Sequence, residues 1–245
     1  MTQNQKPQEQ KLSAATPLNF DAQAIPVHEV CADQPMVASH HLHPENLKSR
    51  FLSPPDWQPE ITDENRQVIA AGIIQSRQAA GKITQAAVLI PLLLKADGLS
   101  VLLTQRTDHL HDHAGQISFP GGRMDPGDSS PNDTALRESE EEIGLDRQGV
   151  EIIGHLPQYL TVSGYSVTPV VGFVKPQAEY ALDAFEVADV FEVPLHFLMD
   201  PANHQVRVWE SDQGSRRFYS MPYENRFIWG ATAGMLRNLY HLLKV

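Results

Sequence analysis

Three glutamates, Glu138, Glu141 and Glu142, fall at i, i+3 and i+4 of the run RESEEEIGL, so on a helix their carboxylates crowd one face while Glu140 points away. Like charges at that spacing repel. Such a run is ordinarily a solvated helix face, but its neighbours here point to chemistry. Gly121, Gly122 and Arg123 stand just upstream, and Arg137 precedes Glu141 by one helical turn, where it can hold that carboxylate in place. A hard divalent cation, Mg²⁺ or Mn²⁺, takes oxygen ligands and keeps waters, leaving room for phosphate oxygens and an attacking hydroxide. It would turn the repulsion into a binding site. Arg106 and Arg123 offer anionic oxygens a planar fork that Lys does not reproduce. Gly121 and Gly122 suit a tight turn, and the same turn lets backbone N–H groups approach phosphate closely.

These side chains need elements to hold them. AAVLIPLLLK and LSVLLTQR read as two strands joined by a short reversal at Asp97-Gly98, which puts Arg106 at a strand end. Ser130 is an N-cap candidate, Pro131 suits a first helical position and Gly144 a C-terminal stop, so the acidic run becomes a short, heavily charged helix. VEIIGHL, VTPVVGFV and VFEVPL read as further strands, the last leading into a short helix. VRVWE and RRFYSMPY form another hairpin, and ATAGMLRNLYHLLKV closes the chain as a helix. Over residues 63–78, Val68, Ile69, Ile73 and Ile74 recur at helical spacing until Gly81 ends the pattern. Strands and helices alternate without a regular βαβ period, which predicts an α/β (α+β) fold with a mixed sheet between helices. Residues 1–45, rich in Gln, Asn, Pro, Ala and His without steady apolar period, are expected to form a disordered extension that includes His40, His41 and His43. The domain is expected over 46–245.

The loop, Arg137-Glu138, Glu141-Glu142 and Gly144-Leu145 together resemble a Nudix box. The resemblance implies the Nudix fold and hydrolysis of a nucleoside diphosphate linked to another group, with Glu138, Glu141 and Glu142 as metal ligands. Fourteen residues separate Gly122 from Arg137, one more than the usual box spacing. No Glu occupies the usual loop position, Asp128 being the nearest acid, and Ser139 replaces an aliphatic residue. The longer loop and its Asp resemble the coenzyme A pyrophosphatase branch, as does the upstream pattern LLTQRT, His113, Gly115-Gln116 and FPGG. His111 stands where that branch usually has Arg. The implied reaction splits the pyrophosphate of coenzyme A or its thioesters into 4′-phosphopantetheine and adenosine 3′,5′-bisphosphate. Arg137, Glu141 and Glu142 would be catalytic, and Arg106, Arg123, Gly121, Gly122, His111 and His113 would bind substrate. Glu186, in FEVADVFEVPL, has the placement of the late-loop Glu that serves several Nudix branches as general base or extra ligand. ADP-ribose or NADH is the alternative substrate, and a nucleotide-sensing module without turnover the alternative class.

Composition bounds the partners. The 245 residues carry 30 Asp and Glu against 19 Lys and Arg, a formal net charge of −11, and no basic run stands out. Nucleic acid is therefore not an expected partner. No apolar run approaches the ~20 residues of a membrane helix and the first residues lack a secretory signal, so a cytoplasmic location is expected. Cys31 is the single cysteine, which leaves neither an intrachain disulfide nor a Cys-based zinc cluster. The sequence leaves a homodimer open.

Overall fold

The computed structural model describes residues 21–70, 83–110, 113–161, 163–211 and 214–245. At its centre lies a mixed sheet built on the hairpin β2 (Thr84–Lys95) and β3 (Gly98–Arg106). Lys95 pairs Gly98, so the turn falls on Ala96-Asp97, one residue earlier than the sequence suggests. Gly98 opens β3 at φ +130, a conformation that favours glycine. Strand β8 (Tyr165–Val174) runs parallel to β2 over its whole length, and β6 (Val150–His155) pairs β8 antiparallel. β9 (Val187–Pro194) covers the other side of β3. The short strands β4 (Ile117–Ser118), β5 (Gly121–Arg123) and β7 (Tyr159–Leu160) pair with β3, β2 and β8. Pro91 lacks an N–H, and it sits where β2 leaves β5 and picks up β3, the stretch of this strand that least needs a donor.

Helices cover both faces. Helix α3 (Pro131–Ile143) packs Ala135 and Ile143 against Ala87, Leu89, Leu93 and Leu102. On the opposite face, α5 (Gly230–Leu243) lays Leu236, Leu239 and Leu243 on Ile90, Val101, Leu103 and Val171, together with Leu47 of α1 (Pro44–Leu52). Helix α5 is buried over nearly its whole circumference, its polar Arg237 and Asn238 included. It is enclosed because a second sheet, β1 (Val27–Val30), β10 (Gln205–Ser211), β11 (Gly214–Tyr223) and β12 (Arg226–Trp229), places Met221 and Ile228 in the same core. The one-turn helix α4 (Leu195–Leu198) follows β9, as read from the sequence. Helix α2 (Asp63–Ala70) starts where the apolar period starts, and its expected continuation lies outside the described residues.

The expectation of an extension over residues 1–45 does not hold for residues 21–45. Residues 21–45 contribute β1, which pairs β10, and bury Ala22, Cys31 and Val37. Tyr240 donates to Pro35 O at 2.6 Å, and His41 Nδ1 lies 2.8 Å from Leu243 O. The composition of this segment cannot support a core of its own, but it needs none, since it borrows the apolar surface of α5 and of the second sheet. His40, His41 and His43 belong to this packed segment rather than to a solvated tail.

Candidate active site

Local sequence sets α3. Ser130 accepts from Asp133 N–H at its start. At its end Gly144, at φ +65, and Leu145 return N–H groups to Glu140 O and Ser139 O. Ser139 is fully buried and gives its hydroxyl to Ala135 O at 2.6 Å, so a polar residue fits an apolar position without an unmet donor. Glu140 pairs with Arg147 on the outer side, away from Glu138 and Glu142.

Arg137 binds the loop to the helix. Its Nε and Nη2 donate to both carboxylate oxygens of Asp128 at 3.0 and 2.9 Å, and Nη2 also reaches Arg123 O at 3.0 Å. Nη1 lies 2.9 Å from Glu138 Oε1 and from Glu141 Oε2. The bidentate bond from Arg137 holds the Asp128 carboxyl well below the usual range, although burial opposes it. Thr134 Oγ1 donates to Asp128 as well. Asp128 is thus the loop's anchor, a role that only the three-dimensional pairing with Arg137 shows.

The glycines are required by contact. At Gly121, φ is +149 and a Cβ would lie 2.4 Å from Ala87 O in β2. At Gly122 a Cβ would lie 2.5 Å from the Glu138 carboxylate. This close approach lets Gly121 N–H donate to Glu142 Oε2 at 3.0 Å, while Arg106 Nη1 lies 4.0 Å from Glu142 Oε1. Glu142 is 6% exposed. Burial pushes its pKa up to about 8 against the help of Gly121 N–H and Arg106, with the charges of Glu138 and Glu186 pushing the same way as burial. Glu138 is also raised, by burial first and then by Glu141 and Glu186, against Arg137. Glu186 therefore stands close enough for its charge to act on both. The backbone fixes it there: Thr107 N–H donates to Glu186 O at 3.0 Å and Thr107 Oγ1 to Phe185 O at 2.8 Å.

The structure thus brings together Gly121, Gly122, Arg106, Glu138, Glu142 and Glu186, with Arg137 behind them. Glu141 is 60% exposed and turned to Arg137. Arg123 ends β5 with an exposed side chain. His113, at φ +59, lies at 2.9 Å from Gln116 Oε1 through Nδ1. His111 lies outside the described residues. His109 meets the ring of Phe185 edge-on at 4.9 Å.

Among the described residues no three His, Cys, Asp or Glu side chains already converge on one point, because Arg137 draws Glu141 aside. Yet Glu138 and Glu142 are oxygen donors with largely buried side chains, and burial, aided by their neighbouring carboxylates, raises the pKa of both. That donor chemistry, carboxylate oxygens carrying shared negative charge, fits Mg²⁺ or Mn²⁺.

Residues 83–212 match the family model of the NUDIX domain. Over 155 residues the chain is 43% identical to the uncharacterized Nudix hydrolase NudL of Yersinia pestis (strain Pestoides F), and equally to that of Yersinia pseudotuberculosis, covering 63% of this chain and 77% of each relative. Among solved structures, the Nudix hydrolase RenU of M. smegmatis aligns at 22% identity and a TM-score of 0.40, over 45% of this chain and 70% of its own. No helix among the described residues is long and apolar enough to cross a membrane.

Proposed function

We propose that this chain, which belongs to the Nudix hydrolase family, cleaves the pyrophosphate of coenzyme A or its thioesters. Water adds across the P–O–P bond and the products are adenosine 3′,5′-bisphosphate with 4′-phosphopantetheine from coenzyme A, or with its S-acyl form from a thioester. The observation that carries the reading is the meeting of two sequence motifs: Arg106 of LLTQRT stands 4.0 Å from box residue Glu142, whose other oxygen takes Gly121 N–H of FPGG. Arg106 and Arg123 then hold diphosphate oxygens, and Gly121 and Gly122 keep the backbone close to them. Arg137 positions the loop and Glu141. Glu186 accepts the proton of the attacking water. Glu138, Glu141 and Glu142 would hold Mg²⁺ or Mn²⁺, which supplies charge neutralisation and a lowered water pKa. His113 and, by its place in the same motif, His111 would add to substrate binding.

A panel of coenzyme A, acetyl-coenzyme A, ADP-ribose and NADH, assayed with each cation, tests this. Coenzyme A or its thioester should lead in kcat/KM by at least about tenfold, a difference of roughly 1.4 kcal/mol in transition-state binding. A lead by ADP-ribose or NADH would reassign the substrate. Glu186→Gln should lower kcat by about a hundredfold with metal affinity unchanged, the size expected for loss of a general base.

A further inference from the structure

On the face of the main sheet opposite α3, a cavity of about 360 Å³ opens between the end of β3, the turn before β4 and the β11–β12 hairpin. Gln23, Gln105, Gln116 and Asn225 bring primary amides to its wall, and Phe227 and Trp229 bring apolar rings. Its charged groups are already committed. The Arg226 guanidinium donates to Gln105 Oε1 and to the Asp189 carboxylate and lies 4.5 Å from the Phe191 ring centre. Asp21 Oδ1 accepts from the Gln23 and Ala24 N–H groups at 3.0 and 3.3 Å. Such a wall offers little to a phosphate. It suits a neutral, planar group with acceptors on its rim: the Gln105 and Gln116 oxygens already meet Arg226 and His113, so these amides offer chiefly their NH2 donors, while Asn225 can donate and accept. The volume lies within the roughly 300–1,000 Å³ of small-molecule sites.

The cavity and the carboxylates share the end of β3, one on each face of the sheet. Gln105 and Arg106 are consecutive in β3, so the strand turns one to each face: Arg106 to within 4.0 Å of Glu142, Gln105 into the cavity. Gln116 O accepts Arg106 N–H at 2.9 Å. At most roughly 17 Å of extended chain separates Gln116 from Gly121, so a diphosphate-linked molecule bent over the end of β3 reaches both. Two of the walls, residues 21–23 and 225–229, fall outside the residues 83–212 that match the NUDIX family model. The second sheet and the N-terminal segment build them.

We infer that this cavity receives the nucleobase of the diphosphate substrate, the amides of Gln105, Gln116 and Asn225 reading its edge while Phe227 and Trp229 wall its apolar faces. The inference rests on the proposed hydrolysis for the identity of the ligand, and its test is binding, which requires no turnover. Adenosine 3′,5′-bisphosphate and 4′-phosphopantetheine are titrated separately by calorimetry into wild type, Gln105→Leu and Phe227→Ala, with circular dichroism as the check on folding. Both variants should weaken nucleotide binding by about tenfold, the order expected for one lost hydrogen bond or ring contact, and leave phosphopantetheine within twofold. In turnover, Gln105→Leu should raise KM for coenzyme A with kcat little changed. Unchanged nucleotide binding, no nucleotide binding by wild type, or a loss confined to phosphopantetheine each overturns the assignment. Should both variants misfold, Asn225→Ala at the exposed hairpin turn carries the same comparison. A wild type that binds the nucleotide yet cleaves no diphosphate would sink the hydrolysis reading and spare the cavity; normal turnover with variants indistinguishable from wild type in binding would do the reverse.

Discussion

At the level of single residues, Glu142 and the two glycines beside it carry the sharpest expectations. The Glu142 carboxyl is raised to about 8, against 4.5 in an unfolded chain. Between those values the unfolded state has released a proton that the folded state retains, so without metal, stability falls as pH rises from 4.5 to about 8. Glu142→Gln removes that penalty and keeps an acceptor for Gly121 N–H. In EDTA the variant should melt higher than wild type at pH 8 and equal to it near pH 4.5. Relief of even ~2 kcal/mol corresponds to roughly 4–8 °C in a domain of this size. With Mg²⁺ its turnover should drop about a hundredfold or more. An unchanged rate would remove the box from catalysis. Gly121→Ala and Gly122→Ala separate fold from site. The first drives a Cβ into the backbone of β2 and should cost melting temperature, whereas the second meets only the far end of the flexible Glu138 side chain and should cost rate with little loss of stability. The charge pattern of the glutamates is plain in the sequence. That Glu142 is buried and Glu141 exposed is not, because both lie on one helical face and only the sheet beneath decides which of them is covered.

Among elements, α3 and the loop before it behave as one unit held by Arg137. Arg137→Lys keeps the charge but loses the fork to Asp128, so the loop should detach from the helix and release Glu138 and Glu141 together. Breaking a shielded pair typically costs about 3–5 kcal/mol when one partner is removed, and a retained charge lessens this. The expected result is a melting loss of a few degrees with a rate loss of at least about tenfold, read by calorimetry and steady-state assay. A loss of stability with full activity would mean that the loop has no part in the site. Both ends of this helix are legible in the sequence, since Ser130, Pro131 and Gly144 act on the backbone next to them. The short strands β4, β5, β7 and β12 are not. Two to four residues carry too little alternation to signal a strand, and each exists because a longer partner offers it hydrogen bonds.

For the molecule as a whole, stability converges on Arg237, whose side chain is 1% exposed. It donates to Gln34 and Glu60 at 2.9 and 3.0 Å, lies 3.0 Å from His204 Nδ1 and His241 Nε2, and rests between the Tyr219 and Tyr240 rings at 4.8 Å from each centre. This network joins the N-terminal segment, the second sheet and α5. Removal of residues 1–43 takes away β1 and Gln34, and should lower the melting temperature by roughly 6–12 °C if about 3 kcal/mol is lost; an unshifted transition would return residues 21–43 to the status of an extension. Acid should attack the same place. Burial lowers His204 to about 4, so below the ordinary value of 6.5 the unfolded chain binds a proton that the folded one refuses, and stability declines from pH 6.5 to 4. Burial favours protonation of Glu60, but hydrogen bonds from His241 and Arg237 outweigh it and hold the carboxyl near 2, so its contribution is present above 4.5 and lost as pH falls through 2. His204→Gln should flatten the melting profile between pH 6.5 and 4; an unaltered slope there would show that His204 does not set it. By itself the sequence determined what is local: the box residues and their spacing, the caps of α3, the β2–β3 hairpin, and helices on a mixed sheet, because each depends on neighbours within a few residues. Only the tertiary structure decided that residues 21–45 belong to the domain, that Asp128 answers Arg137, and that Gln105 and Arg106 serve opposite faces of one strand. Those are contacts between distant segments, and they become visible only once the chain has closed on itself.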